Sequence, residues 1–302
     1  MSNQDKPLIS FRGQLGAPTK AFSLGGVLFD IGTKVTKWYE PGGFSLYDTN
    51  RVQWEEEDRR TGRRVKKQIA GRRYSKRRGG LGAIRQFFIH HSGGDGPTPA
   101  GMFETLHNRR KLSVHFAVED DGRIWQFGDG EVCAWHAGSH NPFSIGVECA
   151  LYPLAEERPN FYGPKRRERT GNLPHQVVED TIHGRPMRVF TFTEPQIEAL
   201  ARLAAGNWLA LLVLRGFDAL PLEDLFSSSG PLAQAPTFPR NQHGEIPRTV
   251  YQRHAEHVGL IGHLQCTARK IDPAGFQWER FEGMVAEYYR QFRGALRLGD
   301  LG

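Results

Sequence analysis

The chain has 302 residues, of which 38% are apolar and 24% charged, with three cysteines and a formal net charge of +7. That apolar fraction fills an ordinary globular core, and an odd cysteine count argues against a disulfide framework. Neither a signal-peptide core at the start nor a run approaching the ~18–20 apolar residues of a membrane span is legible, so the expectation is a soluble protein made in the cytosol.

Residues 1–80 read as an N-terminal extension, Gly-rich with short apolar pieces at 26–31 and 43–47. Between Arg59 and Arg78 it carries 11 Lys and Arg and no acid, so the basic character is local. Two readings fit this run: a solvated flexible linker, or a surface that adheres to an anionic envelope polymer. Tyr74 alone interrupts it, which leaves no stacking platform for single-stranded nucleic acid. Gly79, Gly80 and Gly82 mark a flexible boundary before the main domain at 81–295.

From Ile84 the sequence IRQFFIHHSGGDG predicts a central strand ending in two histidines and a Gly-rich loop. His90 and His91 point to opposite faces of such a strand, so one of them joins a site. A helix is expected over Thr98–Asn108, with Thr98 as N-cap and Pro99 at its first position. Ser113–Glu119 and Arg123–Phe127 alternate and are joined through Asp121-Gly122, a hairpin signal. A ring-rich loop, CAWHAGSHN, then leads into the apolar strand FSIGVECAL. Glu148 sits inside that strand, where a carboxylate is costly unless bonded, paired or needed; it is either a base of raised pKa or a structural group.

Residues 152–190 form a polar insertion expected to add nothing to the core. Thr193 and Gln196 predict a capping box for a helix whose apolar face is Ile197, Leu200, Ala204, Trp208 and Leu211. A second irregular insertion spans about 216–249. An apolar run at Val258–Ile261 then reads as a buried strand with His263 at its end. Asp272, before Pro273, is expected in extended conformation, with Lys270 on the same side. Two ligands do not make a zinc site, which takes three plus an open position. The chain closes with an amphipathic helix over 276–292, its stripe Phe281, Val285, Tyr288 and Phe292, and a tail at 296–302. The fold class is α/β (mixed), a central mixed sheet flanked by helices.

FIHHS, SVHFAVEDDGRIWQ, AWHAG, the Asn141–Glu148 stretch NPFSIGVE, FTEPQIEALARL and GHLQCTARKIDPAGFQWERF together resemble the successive signatures of the zinc-dependent N-acetylmuramoyl-L-alanine amidases. That family shares its fold with peptidoglycan recognition proteins and phage lysozyme-type amidases. The resemblance covers Ile84 to Phe292 apart from the two insertions. It implies Zn2+ held by His90, His263 and Asp272, with Cys266 the alternative third ligand because some members use cysteine. It further implies Glu148 as base and Lys270 as oxyanion partner, the branch with a tyrosine base being unavailable because Val114 stands at that place. Trp135, His136 and Ala137 would line the substrate groove. The implied reaction is hydrolysis of the amide between N-acetylmuramic acid and L-alanine in peptidoglycan or a muropeptide; a non-catalytic peptidoglycan-binding part of a phage tail or injection apparatus is the alternative. Action is expected in the cytoplasm, or in the periplasm or wall after delivery by phage lysis or a secretion or injection apparatus.

Overall fold

A computed structural model describes residues 8–10, 18–58, 60–94, 98–171, 173–216 and 234–295. Its strands are β1 Leu8–Ser10, β2 Ala21–Leu24, β3 Val27–Asp30, β4 Val35–Lys37, β5 Val52–Glu57, β6 Arg64–Ile69, β7 Tyr74–Lys76, β8 Gln86–His91, β9 Phe116–Val118, β10 Ile124–Gln126, β11 Val132–Ala134, β12 Ser144–Cys149, β13 Val177–Ile182, β14 Arg185–Phe190 and β15 Gly259–Gly262. Its α-helices are α1 Pro99–Phe103, α2 Pro164–Thr170, α3 Glu194–Gly216 and α4 Trp278–Ala295.

The organising element is a six-stranded mixed sheet in the order β15-β8-β12-β9-β10-β4. QFFIHH is buried along its whole length, as a strand needs to be when it lies between two parallel neighbours and both its faces are covered. Phe87 and Ile89 join the large core under α3 and α4, whereas Phe88 belongs to a small cluster with Ala137 and Ile261. The alternation of the strand therefore sends His90 to the Phe88 side. The Asp121-Gly122 hairpin forms as expected, with Ile124 opposite Val118 and Gln126 opposite Phe116.

α3 is apolar almost all round because sheet and α4 enclose it. By length and composition it could cross a bilayer, contrary to the reading of the sequence, yet 83% of that span is buried inside the protein. Thr193 accepts from the Gln196 amide N–H, as a cap should, but Gln196 does not close the box. Its side chain instead donates to the carbonyls of Val118 and Ala150, tying the helix start to the sheet. In α4 the buried stripe is Phe281, Val285, Tyr289 and Phe292; Tyr288, expected there, packs at its edge. At roughly 100° per residue the buried side chains, Trp278 included, form an arc centred near Val285, and Tyr288 falls just outside it on the Phe281 side.

Three regions that the sequence sets apart from the main sheet are ordered, and two of them supply its core. Residues 21–47, read as part of an extension, supply β4 to the edge of the main sheet and Phe22, Phe29 and Ile31 to its core. The insertion at 152–190 buries Tyr152, Phe161, Tyr162, Ile182, Val189 and Phe190, so its aromatics do contribute a core. The Arg59–Arg78 run is no flexible linker over its described residues. β6 pairs with β5, which sets Lys66 opposite Glu55 and Arg64 opposite Glu57. Arg73 and Arg77 are buried. Arg77 donates to the carbonyls of Gly130, Pro142, Val132 and Ser144, at 2.7–3.0 Å, and so clamps the loop that precedes β12. The second insertion falls at 217–233 outside the described residues; its remainder, 234–249, runs without helix or strand and buries Phe238 and Ile246.

Candidate active site

Three neighbouring strand ends build the site. β15, β8 and β12 run parallel, so their carboxyl ends meet at one edge, the usual address for ligands in open α/β sheets. Glu148 lies opposite His90 in the β12–β8 ladder, and Gly262 lies opposite Ile89 in the β15–β8 ladder, so His263 emerges beside both. A side chain at Gly262 would stand 2.7 Å from Pro273 Cδ and from the Trp278 ring. Its absence lets the 270–273 segment fold back over the strand end, where Leu264 N–H donates to the Asp272 carbonyl at 2.7 Å. The Asp272-Pro273 peptide is cis.

Asp272 Oδ2 lies 2.8 Å from His90 Nδ1 and 3.1 Å from His263 Nδ1. The donor atoms of these three residues all fall within 4.8 Å of one another. The polarity of the surrounding hydrogen bonds follows from one hydroxyl. Ser144 gives its only proton to the His140 carbonyl at 2.9 Å, so its oxygen accepts from His136 Nε2–H at 3.1 Å. His136 Nδ1 then accepts from His90 Nε2–H at 3.0 Å. His90 Nδ1 is thereby left with a lone pair facing the Asp272 carboxylate.

Two lone pairs do not sit at that distance without a cation between or beside them, and two imidazoles with one carboxylate are a donor set that zinc accepts. Burial holds His90 neutral, with a pKa down at about 4, against the pull of Asp272. Burial raises Asp272, but the two imidazoles that face its Oδ2 outweigh it and hold the carboxyl well below its ordinary range. The residues therefore fit a divalent metal.

Glu148 is 7% exposed, and its pKa is raised to about 8 by burial and by the charge of Asp272, with Lys270 and Arg110 opposing. Lys270 faces the same cleft, a cavity of about 330 Å³ whose walls also include His91, Val114, His136 and Glu148. Trp135 and Ala137, assigned to the substrate groove by resemblance, do not line that cleft. Ala137 is buried against Phe88 and Ile261 instead. Cys266 is not gathered with His90 and His263; Asp272 is.

The sequence reading missed one wall. Glu104, Thr105 and Arg109 reach the cleft from a π-helical turn, Glu104–Arg109, that continues α1, and Arg110 from the position that caps it. The triplet Arg109-Arg110-Lys111 at a helix end was the available signal. His115 was missed as well, although it holds the loop around His136. Its Nδ1 accepts from the Gly146 amide at 3.0 Å and its Nε2–H donates to the Val132 carbonyl at 3.0 Å, while a side chain at Gly146 would strike the His136 ring at 2.7 Å.

Burial and the nearby Arg77 depress the His115 pKa to about 3. An unfolded histidine titrates near 6.5, so the neutral form is favoured by folding at every pH below that. Stability tied to His115 is thus intact above pH ~6.5 and is lost as pH falls toward 3, by about 2 kcal/mol at pH 5. Urea unfolding at pH 7 and pH 5 should show a steeper acid loss in the wild type than in His115→Gln; equal losses would assign the acid sensitivity elsewhere.

A mixed sheet whose parallel strand ends and the following segment bring two histidines, an aspartate, a perturbed glutamate and a lysine to one cleft offers the groups that hydrolysis needs, with a donor set that fits a divalent metal. Residues 80–215 match the sequence model of the N-acetylmuramoyl-L-alanine amidases, and the chain carries a domain of that family. Its enzyme class is accordingly that of the N-acetylmuramoyl-L-alanine amidases. Among solved structures it is similar to the Staphylococcus aureus hydrolase AmiA, at 14% identity and a TM-score of 0.42 over 74% of this chain and 81% of that one. It is similar also to the endolysin amidase LysCS from Clostridium intestinale, at 12% identity and a TM-score of 0.36 over 70% and 87%. A third is AmpDH3 from Pseudomonas aeruginosa in complex with anhydromuramic pentapeptide, at 16% identity and a TM-score of 0.37 over 67% and 60%. No curated protein sequence matches the chain. The family match ends at residue 215, so His263, Lys270 and Asp272 lie beyond it.

Proposed function

We propose that the protein is a zinc-dependent hydrolase of the amide bond between N-acetylmuramic acid and L-alanine, acting on peptidoglycan or a muropeptide. The observation that carries this reading is the pair of imidazole nitrogens aimed at one Asp272 oxygen, with Glu148 level with His90 on the neighbouring strand. His90, His263 and Asp272 would hold the metal. A zinc ion there supplies Lewis-acid polarisation of a carbonyl and easier ionisation of water at neutral pH.

The chain's own residues do the rest. Glu148, with a pKa brought close to working pH, takes the proton of the attacking water and returns it to the leaving amine. Lys270 offsets the negative charge that develops on the carbonyl oxygen. His136 holds His90 in the tautomer that presents Nδ1 to the ligand cluster. Arg110 puts cationic charge on the cleft wall, where the carboxylates of a stem peptide would be attracted, while Arg109 beside it is paired with Glu104 at 3.1 Å.

The test is mass spectrometry of purified peptidoglycan and of a soluble muropeptide after incubation with zinc-loaded and chelator-treated protein. Stem peptides beginning at L-alanine should appear, vanish with the chelator and return with zinc. Binding of the wall without amide cleavage would overturn the assignment. Asp272→Ala should lose one equivalent of zinc together with hydrolysis, read by metal analysis beside the cleavage assay, whereas retention of the full wild-type zinc content would move the third ligand elsewhere.

A further inference from the structure

Besides the cluster in the cleft, the described residues bring a second set of metal-ligating side chains together. His140, His254 and Cys266 place one donor atom each within 4.8 Å of the others. They come from three separate segments: the 3-10 turn Gly138–Phe143, the turns that follow Tyr251, and the residue that ends the 3-10 turn His263–Gln265. His140 is buried, and His254 and Cys266 are half-buried, so an ion can reach them from solvent.

The network around these residues already fixes how one ligand is presented. Gln86, buried at the start of β8, donates its side-chain amide to the carbonyls of His254 at 2.7 Å and His257 at 3.0 Å. Both amide protons are then used, and Oε1 is the acceptor for His140 Nδ1–H at 2.8 Å. His140 therefore carries its lone pair on Nε2, which faces His254 Nδ1 at 2.9 Å. One nitrogen tied to a fixed acceptor and the other presenting its lone pair is the way ligating imidazoles are oriented; here a metal would replace the proton that His254 Nδ1 shares with His140 Nε2. Cys266 Sγ makes only a long, weak contact with the Gly262 carbonyl at 3.8 Å; burial and the charge of Asp272 push its thiol up to about 12, and it is the metal that has to offset this.

We propose that His140, His254 and Cys266 form a second metal site, distinct from the cleft, that takes zinc or a comparable borderline-soft divalent ion. Two imidazoles and a thiolate suit such an ion and disfavour magnesium or calcium, with water completing the tetrahedron. Binding releases the thiol proton to solvent and leaves the His254 ring proton on Nε2. The two sites are separated by the Phe88 ring, whose centroid lies 4.8 Å from that of His90 and 5.5 Å from that of His140. They share one short turn, since His263 and Cys266 stand at either end of it. A metal at the second site therefore ties the turn that carries His263 to the 138–143 segment, and its role is to hold that turn.

Cobalt titration of the metal-free full chain tests this without any use of hydrolysis, so its outcome is separate from that of the amidase assignment. The wild type should bind two equivalents and develop the near-ultraviolet thiolate-to-cobalt charge-transfer band. Cys266→Ser, with unchanged circular dichroism, should bind one equivalent and lose the band. His254→Ala should also lose the band, whereas Asp272→Ala should keep it. Absence of the band in the wild type overturns the proposal. So does a band that survives His254→Ala and disappears in Asp272→Ala, because Cys266 would then serve the cleft.

Discussion

Glu148→Gln is expected to lower turnover on a soluble muropeptide by ~10²- to 10⁴-fold while zinc content and melting temperature stay near wild type. Glutamine fills the same volume and keeps a hydrogen-bonding head group, so it removes the capacity to accept a proton and little else. The size of the effect follows from where the carboxylate sits. β12 carries Glu148 into the ladder opposite His90, in a strand whose six residues are all buried. Such a position does not tolerate a carboxylate for packing alone: burial and the Asp272 charge push its pKa to about 8 against the pull of Lys270 and Arg110, and no hydrogen-bond donor among the described residues lowers it. A group so placed is poised to exchange a proton near neutral pH, which is the property a general base needs. Single-turnover rates within a few-fold of wild type would remove Glu148 from the reaction and leave it a structural group.

Lys270→Ala should retain the metal and lose ~10²- to 10³-fold in turnover, equivalent to about 3–4 kcal/mol of transition-state stabilisation. Lys270 reaches the cleft from the segment that delivers Asp272, and its backbone carbonyl accepts from His183 Nε2–H at 2.9 Å, which holds the segment in place independently of the ammonium group. Truncating the side chain therefore removes the charge without releasing Asp272. The loss should fall on turnover and leave substrate affinity nearly unchanged, since the oxyanion exists only in the transition state. An alanine variant that cleaves normally sinks this role, and one that has lost zinc would show that the segment, not the charge, was disturbed.

Much of the central architecture was legible because its signals are local. QFFIHH and SIGVEC are of strand length and carry the apolar centres FFI and IGV. Asp121-Gly122 supplies the positive φ that a tight turn requires, with Gly122 at φ 83°. Thr98 and Pro99 start a helix by capping chemistry that needs no distant partner, and Thr98 does accept from Gly101. Where the reading went astray, the deciding contact was remote. Gln196 looked like half of a capping box but spends its amide on Val118 and Ala150, 78 and 46 residues away. Arg77 sat in a run that composition alone reads as solvated, and only the loop around 130–144 supplies the carbonyls that make burial of a guanidinium tolerable.

By itself the sequence determined the strands and helices that carry the chemistry, the chain order of those elements, and the residue types available for metal, base and oxyanion roles, because periodicity, turns and caps act over a few residues. Only the tertiary structure decided which of those residues meet. His90 and Asp272 touch across 182 positions, and Cys266, three residues from His263, is turned toward His140 and His254 and away from the cleft set. The reason is geometric: strand register and the close approach that Gly146 and Gly262 permit set side-chain convergence to within an ångström. No local pattern in a sequence encodes a distance between segments that far apart.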